Sequence, residues 1–192
     1  MRIKIDTAML KPFDFMIGTS ESTSGDLTRM ALGCDSTHNA AFIKHNTRGW
    51  VIGDTTPPAS CIRPISYYED LVLAGGYNVK VWRIKGLTDE ERMDLCRFWQ
   101  LHIDGLPYSE LGMYRCWVFR FVNSLPWTIP GNWCSRTLGA CCRGVLPIEK
   151  NPFRKREFPL KLKKNETPRT TENRLVRGLL KDVTDEVVKV LA

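Results

Sequence analysis

The chain has 192 residues, of which 43% are hydrophobic, 26% charged and 10% aromatic, which predicts one folded domain with appendages and excludes a disordered chain. The net charge of +7 is uneven, because residues 147–192 contain 12 Lys and Arg against 7 Asp and Glu and so carry +5 of it. The nearly neutral remainder disfavours nucleic-acid binding by the whole protein.

The sequence lacks the patterns of export and membrane insertion. The opening "MRIKIDTAML" has neither the apolar core nor the small-residue cleavage site of a secretory signal. The chain has no run of about 18 apolar residues, so we expect no transmembrane segment. Its seven cysteines include no Cys-x-x-Cys pair, which is typical of reduced thiols. We therefore expect a cytoplasmic protein, or one delivered within a virus particle.

The first part of the chain predicts a sheet. "RIKI" predicts a short strand, and "GTSESTSGD" an exposed loop. "THNAAFIKH" and "GWVIGDTT", joined by the turn-like "NTRG", predict a β-hairpin whose second strand ends before "PPAS". "ISYYEDLVLAGG" predicts a short helix that ends at glycine, and "NVKVWRI" alternates as a strand does.

Three helices are predicted between residues 87 and 144. "LTDEERMDLCRFWQLHIDG" is the clearest, because Thr88 and Glu91 form a capping-box pattern. "YSELGMYRCWVFRFVNSLPW" has a wide aromatic stripe, which indicates core packing or, alternatively, contact with lipid. "WCSRTLGACCRG" predicts a helix of about three turns with Cys134 in its first turn.

The C-terminal quarter differs in character. Prolines alternate with basic residues in "PIEKNPFRKREFPLKLKKNETPRT", which predicts an extended strap. "TENRLVRGLLKDVTDEVVKVLA" has a helical period and predicts a terminal helix. We therefore divide the chain into a domain, residues 1–146, and a basic extension, residues 147–192, which could attach to a protein assembly or to a polyanion.

Cys134 is the best-placed nucleophile among the cysteines. A thiol needs a lowered pKa to react at neutral pH, and the start of a helix supplies one cause of lowering. The other six cysteines fall within helices, near a helix end or in loops. A zinc site built from Cys34 and His38 with Cys141 or Cys142 would match no common ligand spacing, so we predict no metal and no other cofactor.

The base is nearly a forced choice, because the chain has three histidines. His102 falls late in a predicted helix and His45 at the hairpin turn, where it meets water. His38 begins a strand, which can hold its ring rigidly over the start of a helix packed on the sheet. We therefore predict that His38 is the general base for Cys134.

A third group should accept a hydrogen bond from His38 and fix its tautomer. Asp54, on the return strand of the hairpin, is the candidate, although it could instead only cap the strand end. A three-residue loop with Gly49 at the bulge position places Asp54 on the His38 face, whereas a two-residue loop places Thr55 there.

A series of short motifs carries a family resemblance. In chain order they are "SGDLTRMAL", "STHNAAFI", "WVIGDTT", "RIKGLTDEER", "GLPYSELG" and "NWCSRTLG". Over residues 24–146 this series resembles the circularly permuted papain-like hydrolases of the NlpC-type superfamily, in the branch that includes lecithin:retinol acyltransferase-like enzymes. In that group a Gly-Asp pair precedes the histidine strand, and the cysteine opens a helix as a Cys-Ser pair. Gly25, Asp26, His38, Cys134 and Ser135 match these positions.

The chain departs from the family on the second hairpin strand. Members often carry Glu or another polar residue where this chain reads "VIGDTT". Gly53 could therefore occupy the third catalytic position, with Asp54 only its neighbour.

The resemblance implies an α+β fold, a small antiparallel sheet with packed helices, the cysteine helix facing the sheet. It implies a cysteine hydrolase of the peptidase or amidase type, in which the thiolate of Cys134 attacks a carbonyl and forms a thioacyl intermediate. The backbone N–H of Cys134 would be one oxyanion donor. The expected substrates are peptide amides, including those of bacterial cell walls, or lipid acyl esters. The alternative is a non-catalytic structural or interaction protein that attaches through its basic extension.

Overall fold

The computed structural model describes residues 2–20, 38–109, 134–147, 149–152 and 179–191, and the backbone alone of residues 134–136. The described strands are β1 (Arg2–Ile5), β2 (Phe15–Ser20), β3 (His38–His45), β4 (Gly49–Thr56), β5 (Ala59–Arg63), β6 (Tyr77–Ile84), β7 (Leu180–Asp182) and β8 (Val188–Leu191). The described helices are α1 (Ser66–Leu73), α2 (Asp89–His102), α3 (Cys134–Val145) and α4 (Thr184–Val187).

The described part of the chain is an α+β fold, as predicted. Six strands form an antiparallel sheet in the order β5-β4-β3-β2-β6-β7, and β1 pairs with β8 in a second, two-stranded sheet. Within the described residues, no helix has both the length and the hydrophobicity needed to cross a membrane.

The six-stranded sheet is covered on both faces. On the first, which we call the α2–α3 face, the strands pack against both of those helices. The strand residues are Phe15, Ile17, Ala41, Ile43 and Val51, and the helical residues include Leu95, Cys96, Trp99, Leu138, Cys141 and Cys142. On the second, the α1 face, Met16, Ala40, Phe42, Ile52 and Val81 pack with Tyr68 of α1. Alternation along each strand therefore sends neighbouring residues into different layers.

Several predicted elements are confirmed. The "RIKI" strand, the hairpin, the short helix and the "NVKVWRI" strand correspond to β1, β3 with β4, α1 and β6. In α2 the capping box is complete: the Thr88 side chain accepts from the Glu91 N–H, and the Glu91 carboxylate accepts from the Thr88 N–H. The cysteine helix is α3. The predicted aromatic helix lies outside the described residues.

The predicted terminal helix is wrong where the structure describes it. Residues 180–191 form β7, the four-residue helix α4 and β8. The spacing of Leu180, Val183 and Val187 suggested a helix, but the valines of this segment suit extended backbone, and pairing with β6 and β1 outweighs the helical period. This end of the predicted extension therefore belongs to the two sheets, while the greater part of the strap lies outside the described residues.

Besides β7 and β8, two further strands were missed. Residues 18–20 of the predicted exposed loop belong to β2, which pairs with β3 and β6 in the middle of the sheet. The chain also returns after "PP" as β5, antiparallel to β4. β5 contributes to the site, because it carries Arg63, which bonds to Asp54.

Candidate functional site

The register of the hairpin brings His38 and Asp54 together. His45 pairs with Gly49, so the loop has three residues, and Gly49 has a φ of 71°. This is the geometry that places Asp54 on the His38 face of the sheet. The two side chains meet there, with 2.6 Å between Nε2 of His38 and Oδ1 of Asp54.

Asp54 is buried, with no exposed surface, and is held by three side chains. Oδ1 contacts His38, Oδ2 accepts from Nε of Arg63 at 2.8 Å, and Tyr68 adds a further hydrogen bond. Burial alone would raise the pKa of Asp54, but the charge and hydrogen bond of His38, with the bonds from Arg63 and Tyr68, lower it to about 2. Asp54 is therefore a carboxylate at neutral pH.

The ionisation of Asp54 fixes the tautomer of His38. A carboxylate can only accept, so Nε2 of His38 carries a proton and donates it. When the ring is neutral, Nδ1 is then the basic nitrogen. The ring is also held in place by Tyr68, on which it stacks at 6.4 Å between centroids and with 15° between planes. The His38 side chain is 16% exposed, so the ring is held in place while part of it remains accessible to solvent.

Tyr68 acts on the same carboxylate as a neutral donor. Its burial, together with the nearby charge of Asp54, raises its pKa, so the phenol keeps its proton. Sequence reasoning missed both Tyr68 and Arg63. The turn-forming pair of prolines before "ASCIR" could have suggested the return strand that places Arg63 beside Asp54.

Gly53 lies on the other side of β4. A Cβ atom added there would lie 2.6 Å from Trp99 and 2.9 Å from Ile43, both on the α2–α3 face. No side chain at position 53 could point towards His38 without a change of register. Of the two candidates for the third position, Asp54 is therefore the one in contact with His38.

Cys134 is the first residue of α3 as described. Thr137, three residues further along, shares a hydrogen bond of 2.9 Å with Thr55, and Thr55 shares one of 3.0 Å with Ser60. All three of these residues are buried. Because β3 begins at His38 and β4 ends at Thr56, antiparallel pairing puts these strand ends together. The start of α3 is thus attached at the end of the sheet where His38 lies.

The body of α3 and the side chain of His38 nevertheless lie on different faces. Leu138, Cys141 and Cys142 pack on the α2–α3 face, whereas His38 and Asp54 contact Tyr68 on the α1 face. We expected the ring to lie over the start of a helix packed on the sheet, and α3 does pack on the sheet, but on the opposite face. The side chain of Cys134 lies outside the described atoms, so its pairing with His38 stays a prediction.

The other described cysteines form no disulfide, and the pKa is raised in each one for which a shift is resolved. Burial raises the pKa of Cys96 to about 11, and burial raises that of Cys141 further still. Cys61 is partly exposed, and burial raises its pKa despite the charge of Arg63. None of these three is activated as a nucleophile.

The remaining two histidines have local roles. Nδ1 of His45 accepts from the N–H groups of Thr47 and Arg48 and so closes the hairpin turn. His102 is exposed at the end of α2, where its ring contacts Phe98. Among the residues that the structure describes, no group of three or more His, Cys, Asp or Glu side chains is arranged to hold a metal ion. Cys34, one of the considered zinc ligands, lies outside them.

Comparisons with known proteins support the fold. No family model and no curated protein matches the chain. Among solved structures, it is similar to a chain described as the metalloprotein YiiX from Escherichia coli O157:H7, DUF1105, with a TM-score of 0.52 and 17% sequence identity. The match covers 72% of this chain and 67% of that one. At this identity the likeness shows a shared fold and nothing of activity.

Proposed function

We propose that this protein is a cysteine hydrolase in which His38 activates Cys134 and Asp54 orients His38. The observation that carries the proposal is the contact of 2.6 Å between Nε2 of His38 and Oδ1 of the buried, ionised Asp54. A carboxylate that holds a histidine fixes its tautomer and orientation, which suits the ring to act as a general base. The family resemblance supports the proposal further. His38 precedes Cys134 in the chain, and a Cys-Ser pair stands at the start of a helix.

The proposed reaction assigns one task to each group. Nδ1 of His38 takes the thiol proton of Cys134, and the thiolate adds to a substrate carbonyl carbon. The backbone N–H of Cys134, at the start of α3, donates to the resulting oxyanion. The bond to the amine or alcohol then breaks, and the leaving group takes the proton from His38. A water deprotonated by His38 finally cleaves the thioester, which releases the acid and restores the thiol.

The arrangement of α3 sets a geometric requirement. Because the sheet lies between the body of α3 and the ring of His38, the thiol and Nδ1 must meet beyond the strand ends. The hydrogen bond between Thr137 and Thr55 supports such a meeting, since it attaches the first turns of α3 to the residue that follows Asp54. Strand β4 would then hold the base through Asp54 and the nucleophile helix through Thr55.

The substrates that we propose are peptide amides, including those of cell walls, or acyl esters. An activated ester such as p-nitrophenyl acetate tests the chemistry without requiring the natural substrate. We expect hydrolysis that falls at least about a hundredfold in Cys134→Ala and in His38→Ala. Intact-mass measurement after rapid quenching should show an acetyl group on the wild-type chain that Cys134→Ala lacks.

The matched control is Cys61→Ala, which removes a partly exposed thiol on β5 and should leave the rate unchanged. Equal rates in wild type and Cys134→Ala would overturn the proposal. The contacts among His38, Asp54 and Arg63 would then form a structural network, and the non-catalytic alternative would be favoured.

A further inference from the structure

We propose that Arg63 is a positioning residue, which holds the carboxylate of Asp54 in the orientation that His38 needs and opposes the positive charge of the imidazolium. This inference rests on the proposed function, because it takes His38 as the base. Arg63 bonds to Asp54, and Asp54 contacts His38, so we place its action through Asp54.

The guanidinium is fixed on three sides. Its Nε donates to Oδ2 of Asp54 at 2.8 Å, and its Nη2 donates to Oγ1 of Thr56 at 2.9 Å. The plane of the group lies over the ring of Tyr67, with 4.4 Å from Cζ to the ring centroid. Two donors and a stacking contact fix a planar fork more firmly than they could fix an ammonium group.

The two oxygens of Asp54 have different partners, so the carboxylate is held in one orientation. With Oδ2 engaged by Arg63, the carboxylate presents Oδ1 to Nε2 of His38. Without Arg63 the carboxylate could rotate and share either oxygen with the ring. Loss of this constraint would loosen the ring and its basic Nδ1.

Arg63 also balances charge around His38. Among the described residues, the titratable groups around the ring are Asp54 on β4, Arg63 and Cys61 on β5, Tyr67 and Tyr68 on α1, and Tyr77 on β6 beyond Tyr68. Asp54 favours the imidazolium and Arg63 disfavours it, because a nearby opposite charge stabilises the charged ring and a like charge destabilises it. Removal of Arg63 should therefore take away a cation that opposes the imidazolium and leave the carboxylate that favours it.

The test is an NMR titration of the histidine rings in wild type, Arg63→Gln and Arg63→Lys. We expect Arg63→Gln to move the midpoint of the His38 titration to higher pH by about one pH unit, because a unit positive charge bonded to the carboxylate partner of His38 is removed from a partly buried site. We expect the His38 midpoint in Arg63→Lys to stay close to that of wild type, since lysine keeps the positive charge. His45 and His102 provide internal references that should not move.

A second variant separates orientation from charge. Thr56→Val removes the acceptor of Nη2 and leaves every charge in place. We expect it to leave the midpoint within about 0.3 pH units of wild type but to broaden the His38 ring signals, as rotation of the carboxylate becomes easier. Unchanged signals in Thr56→Val would overturn the orienting role.

An unchanged His38 midpoint in folded Arg63→Gln would overturn the opposing-charge role of Arg63. If Arg63→Gln does not fold, Arg63→Lys and Thr56→Val are used instead. A His38 midpoint that moves upward by a full pH unit in Arg63→Lys would contradict the opposing-charge role of Arg63. The titration needs no catalytic activity. An inert protein with the expected midpoints would therefore refute the proposed function and leave the arrangement of Arg63 intact.

Discussion

The two faces of the six-stranded sheet use the same strands for different purposes. On the α2–α3 face, Trp99 and Leu95 lie in an apolar layer together with fully buried thiols. On the α1 face, at the strand ends, Asp54 is buried with charged or polar partners: His38, Arg63 and Tyr68. The same alternation that buries Gly53 against Trp99 presents Asp54 to His38.

This difference explains why the thiols of the apolar layer are poor nucleophiles. Burial in an apolar layer raises the pKa of Cys96 and Cys141, because a thiolate there would have little to solvate it. Asp54 is equally buried, yet its pKa is lowered, since its partners supply a charge and hydrogen bonds. Burial therefore favours a raised pKa on both faces, and at Asp54 the charge and hydrogen bonds of its partners outweigh that effect.

The largest effect that we predict is on the apolar face. Trp99→Ala removes a fully buried side chain between α2 and the sheet, and it should lower the free energy of unfolding by about 3–5 kcal/mol. Denaturant unfolding measures this. Leu101→Ala, in the same helix at 76% exposure, is the control and should change stability by less than about 0.5 kcal/mol. A loss below about 1 kcal/mol in Trp99→Ala would contradict the packing described here.

The next effect is on the charged face and depends on pH. A carboxyl with a folded pKa of about 2, against about 3.9 unfolded, stabilises the fold by about 2 kcal/mol at neutral pH. Because the folded pKa is the lower one, this stabilisation is present above about pH 4 and is lost as the pH falls towards 2. Asp54→Asn should remove it, and its stability should therefore vary less than that of wild type across this range.

Unfolding free energies measured from pH 2 to pH 7 test this prediction. Asp94→Asn is the matched control, because Asp94 pairs with Arg97 on the exposed surface of α2, where an ion pair contributes little. Parallel pH curves for wild type and Asp54→Asn would show that Asp54 is not the depressed carboxyl.

A smaller effect is expected at Thr55, which follows Asp54 on β4 and bonds to Thr137 of α3. Thr55→Val keeps the shape of the side chain but removes the hydroxyl that bonds to Thr137 and Ser60. We expect a loss of about 1 kcal/mol in unfolding free energy. Thr55→Ser, which keeps the hydroxyl, should retain the hydrogen bonds and lose less activity towards the ester than Thr55→Val. Equal activity in the two variants would show that the hydrogen bond between Thr55 and Thr137 does not contribute to the proposed reaction.

Much of the fold could be predicted from local pattern. The capping box of Thr88 and Glu91 and the alternation of β6 are local signals, and the structure confirms both. The hairpin was predicted, but its register had two solutions, and only the three-residue loop with Gly49 places Asp54 beside His38. A shift by one residue exchanges the two faces, so sequence alone left Asp54 and Thr55 as alternatives.

The remainder depended on contacts distant in sequence. The C-terminal segment was interpreted as a helix because its apolar spacing fits one, but β7 and β8 pair with strands more than 90 residues away. Arg63 and Tyr68 belong to the site only because β5 and α1 return to Asp54. Sequence patterns do not report such pairings, which are decided by tertiary packing.

The central claim, that His38 activates Cys134, is tested most directly by competitive alkylation. Native protein is treated briefly with iodoacetamide at pH 6.5, and the modification of each cysteine is followed by mass spectrometry. We predict that Cys134 reacts at least about tenfold faster than Cys61, that His38→Ala abolishes this difference, and that His102→Ala preserves it. A Cys134 that reacts no faster than Cys61, or whose rate is the same in His38→Ala, would contradict the account.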